Sequence, residues 1–93
     1  MSRPKLTPQI AFNLAKALYD ASGERDERLE SVIVQDSYQA YRYAYGILKA
    51  PWAEAEPVIA RDKSWAKIYI RDVLKTRKDK DRFREVQRWV AQS

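Results

Sequence analysis

Residues 30–49, ESVIVQDSYQAYRYAYGILK, and residues 56–75, EPVIARDKSWAKIYIRDVLK, lie 26 positions apart and align without a gap. Glu30 falls over Glu56, Val32 over Val58, Ile33 over Ile59, Asp36 over Asp62, Ala40 over Ala66, Tyr43 over Tyr69, Leu48 over Leu74 and Lys49 over Lys75. These are 8 identities in 20 positions, and Ile47 over Val73 is conservative. A fixed period of this order marks stacked supersecondary units, none of which can bury its apolar face alone. The alignment predicts an all-α fold, a compact stack of about five or six helices built from 26-residue helical repeats, with no sheet.

Capping signals outside the two stretches place the helices. Thr7-Pro8 offers an N-cap followed by proline at the first helical position, and Gly23 offers a stop, so a helix is expected over residues 8–22. Asp36 and Asp62 precede long amphipathic stretches and read as N-caps, with Gln39 completing a capping box. The first of these stretches should end near Lys49, because Pro51 disfavours helical geometry at Ala50. Shorter connecting helices are expected within residues 24–34 and 51–60. Thr76 and Asp79 form a further box opening a last helix over 77–91, separated from its predecessor because residues 75–82 hold no apolar side chain.

Period and spacing also nominate a core. Leu14, Ala17, Leu18 and Ala21 share one helical face; adding 26 gives Ala40, Tyr43, Ala44 and Ile47, and adding 26 again gives Ala66, Tyr69, Ile70 and Val73. These three stripes are expected inside, with Phe83, Val86, Trp89 and Val90 of the last helix closing the stack. The resulting organisation is one domain over 1–93: a degenerate unit at 8–33, two well-matched units at 34–59 and 60–75, and a basic capping helix at 76–93.

The stretch from Tyr43-Ala44 through Ile47-Leu48-Lys49, Trp52, Glu54-Ala55-Glu56, Ile59 and Asp62 to Ala66 and Tyr69 resembles a short tandem helical repeat found in tailed-bacteriophage proteins and some bacterial proteins. The resemblance covers residues 30–75, and Arg77 to Asp81 departs from its aromatic and Glu-Ala-Glu signature. It implies an all-helical fold and a phage or prophage origin, and no particular activity. Trp52 matches the aromatic of the repeat and reads as a packing residue. Trp65, which stands where the preceding unit has Gln39, has no such match and reads as a contact for a partner.

Composition removes most catalytic plans. The chain of 93 residues has no cysteine and no histidine, so thiolate metal sites, imidazole bases and thiol nucleophiles are absent, and with 2 glycines there is no Gly-rich phosphate loop. Glu54 and Glu56 face different ways on a helix and make a poor acid/base pair, while Glu30 and Glu56 read as structural. The expectation is a non-enzyme with no cofactor and no metal. No apolar run approaches the ~18 residues of a membrane span, and Met-Ser-Arg-Pro-Lys lacks the apolar centre of a signal peptide. No membrane partner and a cytoplasmic location, the host cytoplasm for a phage protein, are therefore expected.

Charge and unit-to-unit differences nominate binding residues. Residues 1–60 carry 7 Lys/Arg against 8 Asp/Glu, whereas residues 61–93 carry 11 against 5. The net +5 is thus a basic C-terminal third on a near-neutral body, which points to an anionic partner: nucleic acid or an acidic protein face. Its candidate residues are Lys67, Arg71, Lys75, Arg77, Lys80, Arg84 and Arg88; the competing reading is a solvated outer face. Where core positions of the two units agree, Tyr38, Tyr41 and Tyr45 form a second stripe that the next unit replaces with Ser64, Lys67 and Arg71. Tyrosine offers a large face at low conformational entropy, so Tyr38, Tyr41, Arg42, Tyr45 and Trp65 are the candidate contacts for a protein partner. Tyrosine at helical spacing also packs against neighbouring helices, which is the competing reading. The sequence leads to a non-catalytic, phage-type accessory protein that binds and modulates a host or phage protein, with nucleic-acid binding through the basic third as the alternative.

Overall fold

In the computed structural model, which describes residues 5–92, every regular element is a helix and no strand occurs among those residues. Residues 1–4, on which the N-terminal reading falls, and residue 93 lie outside the described residues. Helix α1 (Pro8–Ser22) begins where the Thr7 side chain accepts the Ile10 N–H, and it ends at Gly23, whose φ of 72° is left-handed. Helix α2 (Glu27–Ile33) is capped by Asp26, α3 (Ser37–Arg42) by Asp36, α5 (Lys63–Asp72) by Asp62 and α6 (Arg77–Ala91) by Thr76. Helix α4 (Glu56–Arg61) follows a single 3-10 turn, Ala53–Ala55, and carries Pro57 in its first turn, where the missing N–H costs nothing. The break before α6 falls where the lack of apolar residues predicts it.

Two capping boxes are only half formed. Asp36 accepts the Gln39 N–H at 2.9 Å, but the Gln39 Oε1 accepts from Arg42 Nη1 at 3.1 Å. Thr76 accepts the Asp79 N–H at 3.1 Å, and Asp79 Oδ1 likewise accepts from Arg82 Nη1 at 3.0 Å. In each case the charge-assisted bond from arginine is the stronger competitor for the acceptor.

The expected long helix after Asp36 changes character midway. Residues Tyr43–Leu48 form a π-turn that contains Gly46 and closes with the Lys49 N–H on the Ala44 carbonyl, Lys49 itself taking a left-handed φ of 53°. Glycine lowers the α-helical preference here and Pro51 stops the chain from continuing, so the widened turn ends the element. Its buried row is nevertheless the predicted one, Ala40, Tyr43, Ala44 and Ile47, and Ala66, Tyr69 and Val73 are buried on α5 with Ile70 partly so.

Helix α1 turns a different face inward. Ala11, Phe12 and Ala15 are buried and Tyr19 packs partly on the core, whereas Leu14 is 49% exposed and Ala17 and Ala21 are exposed. The inward row of α1 lies 28 residues before a second buried row, Gln39, Ala40, Tyr43 and Ile47. Two residues rotate a helix by about 200°, so extrapolating the 26-residue register selects the opposite face. Phe12, under the Arg42 guanidinium at 4.1 Å from its ring centroid, settles the orientation. On α6, Phe83 is buried and Val86 and Val90 are half-buried, but Trp89 is 61% exposed rather than closing the core. It lies about 240° around the helix from Phe83, away from α4.

The helices fill a slab of 44 × 28 × 19 Å, thin enough for two layers of helices about 10 Å across. Helix α1 packs on α2, α4 on α5 and α6, and α3 on α4 and α5. Ser37 Oγ donates to Asp62 Oδ2 at 3.0 Å, and Tyr41 Oη donates to Asp72 Oδ2 at 2.7 Å. Contacts at both ends set α3 and α5 side by side and running the same way.

Candidate binding face

Because α3 and α5 run together, the outward tyrosines of one meet the tryptophan of the other. Tyr38 and Trp65 have ring centroids 4.7 Å apart, Trp65 and Tyr41 are 5.3 Å apart, and Tyr41 and Tyr45 are 5.7 Å apart. Four rings therefore form one continuous row across α3, the π-turn and α5. The interplanar angles of 16° for Tyr41–Tyr45 and 27° for Tyr41–Trp65 show that Tyr41 is stacked between its neighbours. Tyr38 and Tyr45 at the ends are 40% and 54% exposed, and Tyr41 and Trp65 are half-buried between them. Such offset and tilted pairs each contribute ~0.5–1.5 kcal/mol beyond area burial, so the row is a stiff surface.

Arg42, the remaining residue of the predicted protein-contact set, is a strut. Its guanidinium covers Phe12, lies 5.5 Å from the Tyr38 ring centroid and donates to Gln39, joining α3 to α1 beneath the end of the row. At the other end, Arg71 donates to both oxygens of Asp72 through Nε at 2.8 Å and Nη2 at 3.1 Å. These bonds, followed by the one from Tyr41, hold the Asp72 carboxyl at about 2. Burial, and then the bond to Asp72, push the Tyr41 phenol to about 12. Asp72 therefore fixes the hydroxyl of the central tyrosine. Sequence comparison missed it, since the equivalent position in the preceding unit is Gly46 and nothing marked it.

Beside Tyr45 the π-turn and the end of α5 leave an open groove of about 370 Å³, lined by Ala44, Gly46, Ala50 and Val73 with Lys49 and Lys75 at its edges. The predicted anionic-partner set is divided by the fold. Lys67 and Arg71 are exposed on α5 beside the aromatic row and Lys75 in the link that follows it, while Arg77, Arg84 and Arg88 are exposed and Lys80 half-buried on α6, which packs on α4. Arg84 is paired with Asp81 at 3.4 Å and Arg71 with Asp72, whereas Lys67, Lys75, Arg77, Lys80 and Arg88 form no ion pair among the described residues. Arg82, absent from that set, is committed to the core instead: its Nη2 donates to the buried Glu56 at 2.6 Å. Its position 26 residues after Glu56 was the available signal.

Among the described residues no three of Asp and Glu gather as a metal site would require, and no helix is long and apolar enough to cross a membrane. No protein-family model, curated protein or solved structure matches this chain.

Proposed function

We propose that the protein is a non-catalytic accessory protein of phage type, acting in the cytoplasm, that binds and modulates a host or phage protein through the aromatic row on α3 and α5. The observation that carries this reading is the row itself, four contiguous rings ending in two exposed tyrosines. Exposed, pre-ordered aromatic surface is what interface anchors are made of. It occupies positions at which two 20-residue stretches, alike at their buried positions and 26 residues apart, differ, as expected where packing does not dictate the side chain. Reading those stretches as repeated units is supported by one contact made twice, a tyrosine hydroxyl donating to a glutamate 13 residues earlier, in Tyr43–Glu30 and Tyr69–Glu56.

The internal faces of the row are stacked on one another, so bases would find free ring faces only at its ends. That geometry favours a protein partner over a single-stranded nucleic acid, which needs successive open faces. Nucleic-acid binding through the basic third is the second reading, favoured by Lys67, Lys75, Arg77 and Arg88, which form no ion pair among the described residues.

Affinity capture from nuclease-treated and untreated host lysate, with wild type, Tyr38→Ala and Tyr45→Ala, separates the two. A partner held by the row is captured regardless of nuclease and lost with either variant, both of which keep their thermal melting. Capture that needs nucleic acid, with oligonucleotide affinity falling by roughly 0.7–0.9 log units per tenfold rise in salt for each phosphate contact, would support the second reading.

A further inference from the structure

Lys49 ends the π-turn with a φ of 53°. A left-handed residue at a helix end is ordinarily glycine, because a side chain there is strained. The residue at this strained position is a lysine, and it lines the groove beside Tyr45. Lys75, at the matching position of the next stretch, borders the same groove from the end of α5. The floor between them is apolar and small: Ala44, Ala50 and Val73, with Gly46 contributing no side chain. A Cβ built on Gly46 would meet nothing within 4 Å, so the glycine is not required by packing, and its φ is not left-handed. The one carboxylate at the groove, Asp72, is tied to Arg71 and Tyr41.

We infer that this groove docks an acidic peptide segment of the protein partner, seating an apolar side chain on the Ala44–Val73 floor and carboxylates on Lys49 and Lys75. The inference rests on the protein-partner reading above and supplies the chemistry of the segment. Tyr45 belongs to both the aromatic row and the groove wall, so the two surfaces are continuous. The apolar floor suits a peptide that carries an apolar side chain between its carboxylates better than a phosphate backbone. Two lysines that form no ion pair among the described residues, against one carboxylate already held by Arg71, leave the groove net positive and give charge complementarity and steering to an acidic segment.

Amide chemical shifts of the labelled full chain, titrated with synthetic peptides, test this directly. The probes are a glutamate-rich peptide with spaced leucines, the same peptide with serine for leucine, a lysine-for-glutamate version and oligothymidine. The acidic leucine peptide should move the amides of Tyr45, Gly46, Lys49 and Lys75, and should bind about tenfold or more tightly than its serine version, since burying each leucine is favourable. Lys49→Glu with Lys75→Glu should weaken it at least about tenfold and admit the lysine peptide instead. Gly46→Leu should fill the groove and block binding without loss of thermal stability, which guards against misfolding as an explanation.

Equal binding of acidic and basic peptides, shifts away from the groove, or tighter binding of oligothymidine at these amides would overturn the inference. If lysate capture is lost in Tyr38→Ala but persists in the Lys49→Glu, Lys75→Glu variant, the groove assignment fails while the partner reading stands. If neither change affects capture, the partner reading fails as well.

Discussion

Two glutamate–tyrosine pairs in the interior share one chemistry and differ in what holds them. Tyr43 Oη donates to Glu30 at 2.5 Å, and Tyr69 Oη donates to Glu56 at 2.8 Å, with 13 residues between partners in each case. Around Glu30 the counter-charge is local: Arg25, just before α2, donates through Nε at 2.7 Å and Nη2 at 3.0 Å from an exposed position. Around Glu56 it is distant: Arg82 arrives on α6 with bonds of 2.6 and 3.2 Å, and the Glu56 side chain is only 1% exposed. The same contact is thus a local clamp in one place and a tertiary lock in the other. Trp52 joins them, its ring 4.8 Å from that of Tyr43 and its backbone N–H donating to Tyr69 Oη at 3.0 Å.

The difference predicts unequal costs. Truncating either tyrosine removes a fully buried ring, a change that costs ~3–5 kcal/mol in cores. Tyr69→Ala should cost more than Tyr43→Ala, because it also deprives the Trp52 N–H of its acceptor and Glu56 of a donor in a buried site, and removes the 5.1 Å ring contact with Phe83. Urea denaturation of both variants reads the order directly. A smaller loss for Tyr69→Ala would refute the view that the Glu56 node is the tighter one.

Next in size are the arginines. Arg82→Gln leaves a buried carboxylate with reduced compensation and should cost about 1–3 kcal/mol, loosening α6 from α4. Arg25→Gln breaks a pair whose arginine is half in solvent and should cost under about 1 kcal/mol. Hydrogen exchange on α6 sharpens the test: protection there should fall with Arg82→Gln and stay unchanged with Arg25→Gln. Equal effects on α6 would mean that Phe83, not the ion pair, holds the helix.

These nodes also mark what could be read from the chain. Glu30, Tyr43, Glu56 and Tyr69 announced themselves as identities in register, and the caps at Thr7, Asp36, Asp62 and Thr76 came from side chains that satisfy orphan N–H groups locally. The inward face of α1 was misread because a helix has no intrinsic inside, and Phe12 finds its place only against Arg42 of another element. The π-turn was hidden for a related reason: one extra residue in a turn leaves the apolar row of Tyr43, Ala44 and Ile47 intact. At the binding face, Tyr38, Tyr41, Tyr45 and Trp65 stood out as differences between matched stretches. Their assembly into one row required α3 and α5 to lie in parallel, which no local pattern states.

The smallest effect in the comparison is an alkaline titration. Burial, and then the bond to Glu30, raise the Tyr43 phenol above its ordinary range. Burial also raises Tyr69; the Trp52 N–H works against this and the bond to Glu56 adds to it. For a phenol raised in the folded state, the stabilisation is complete below the unfolded value near 10.0 and is lost as pH rises toward the folded value. Above pH ~10 the unfolded chain holds fewer protons than the folded one, so stability declines with pH. The phenolate absorbance of Tyr43 and Tyr69 should therefore appear together with loss of helical circular dichroism, whereas Tyr41, raised to about 12 on the surface, should be identified by the step that disappears in Tyr41→Phe. Arg25→Gln should leave the Tyr69 component unchanged while altering that of Tyr43, since the arginine acts only at the Glu30 node. Ionisation of all 6 tyrosines in one step near pH 10, with the helices still folded, would show that neither hydroxyl is held by its glutamate in solution.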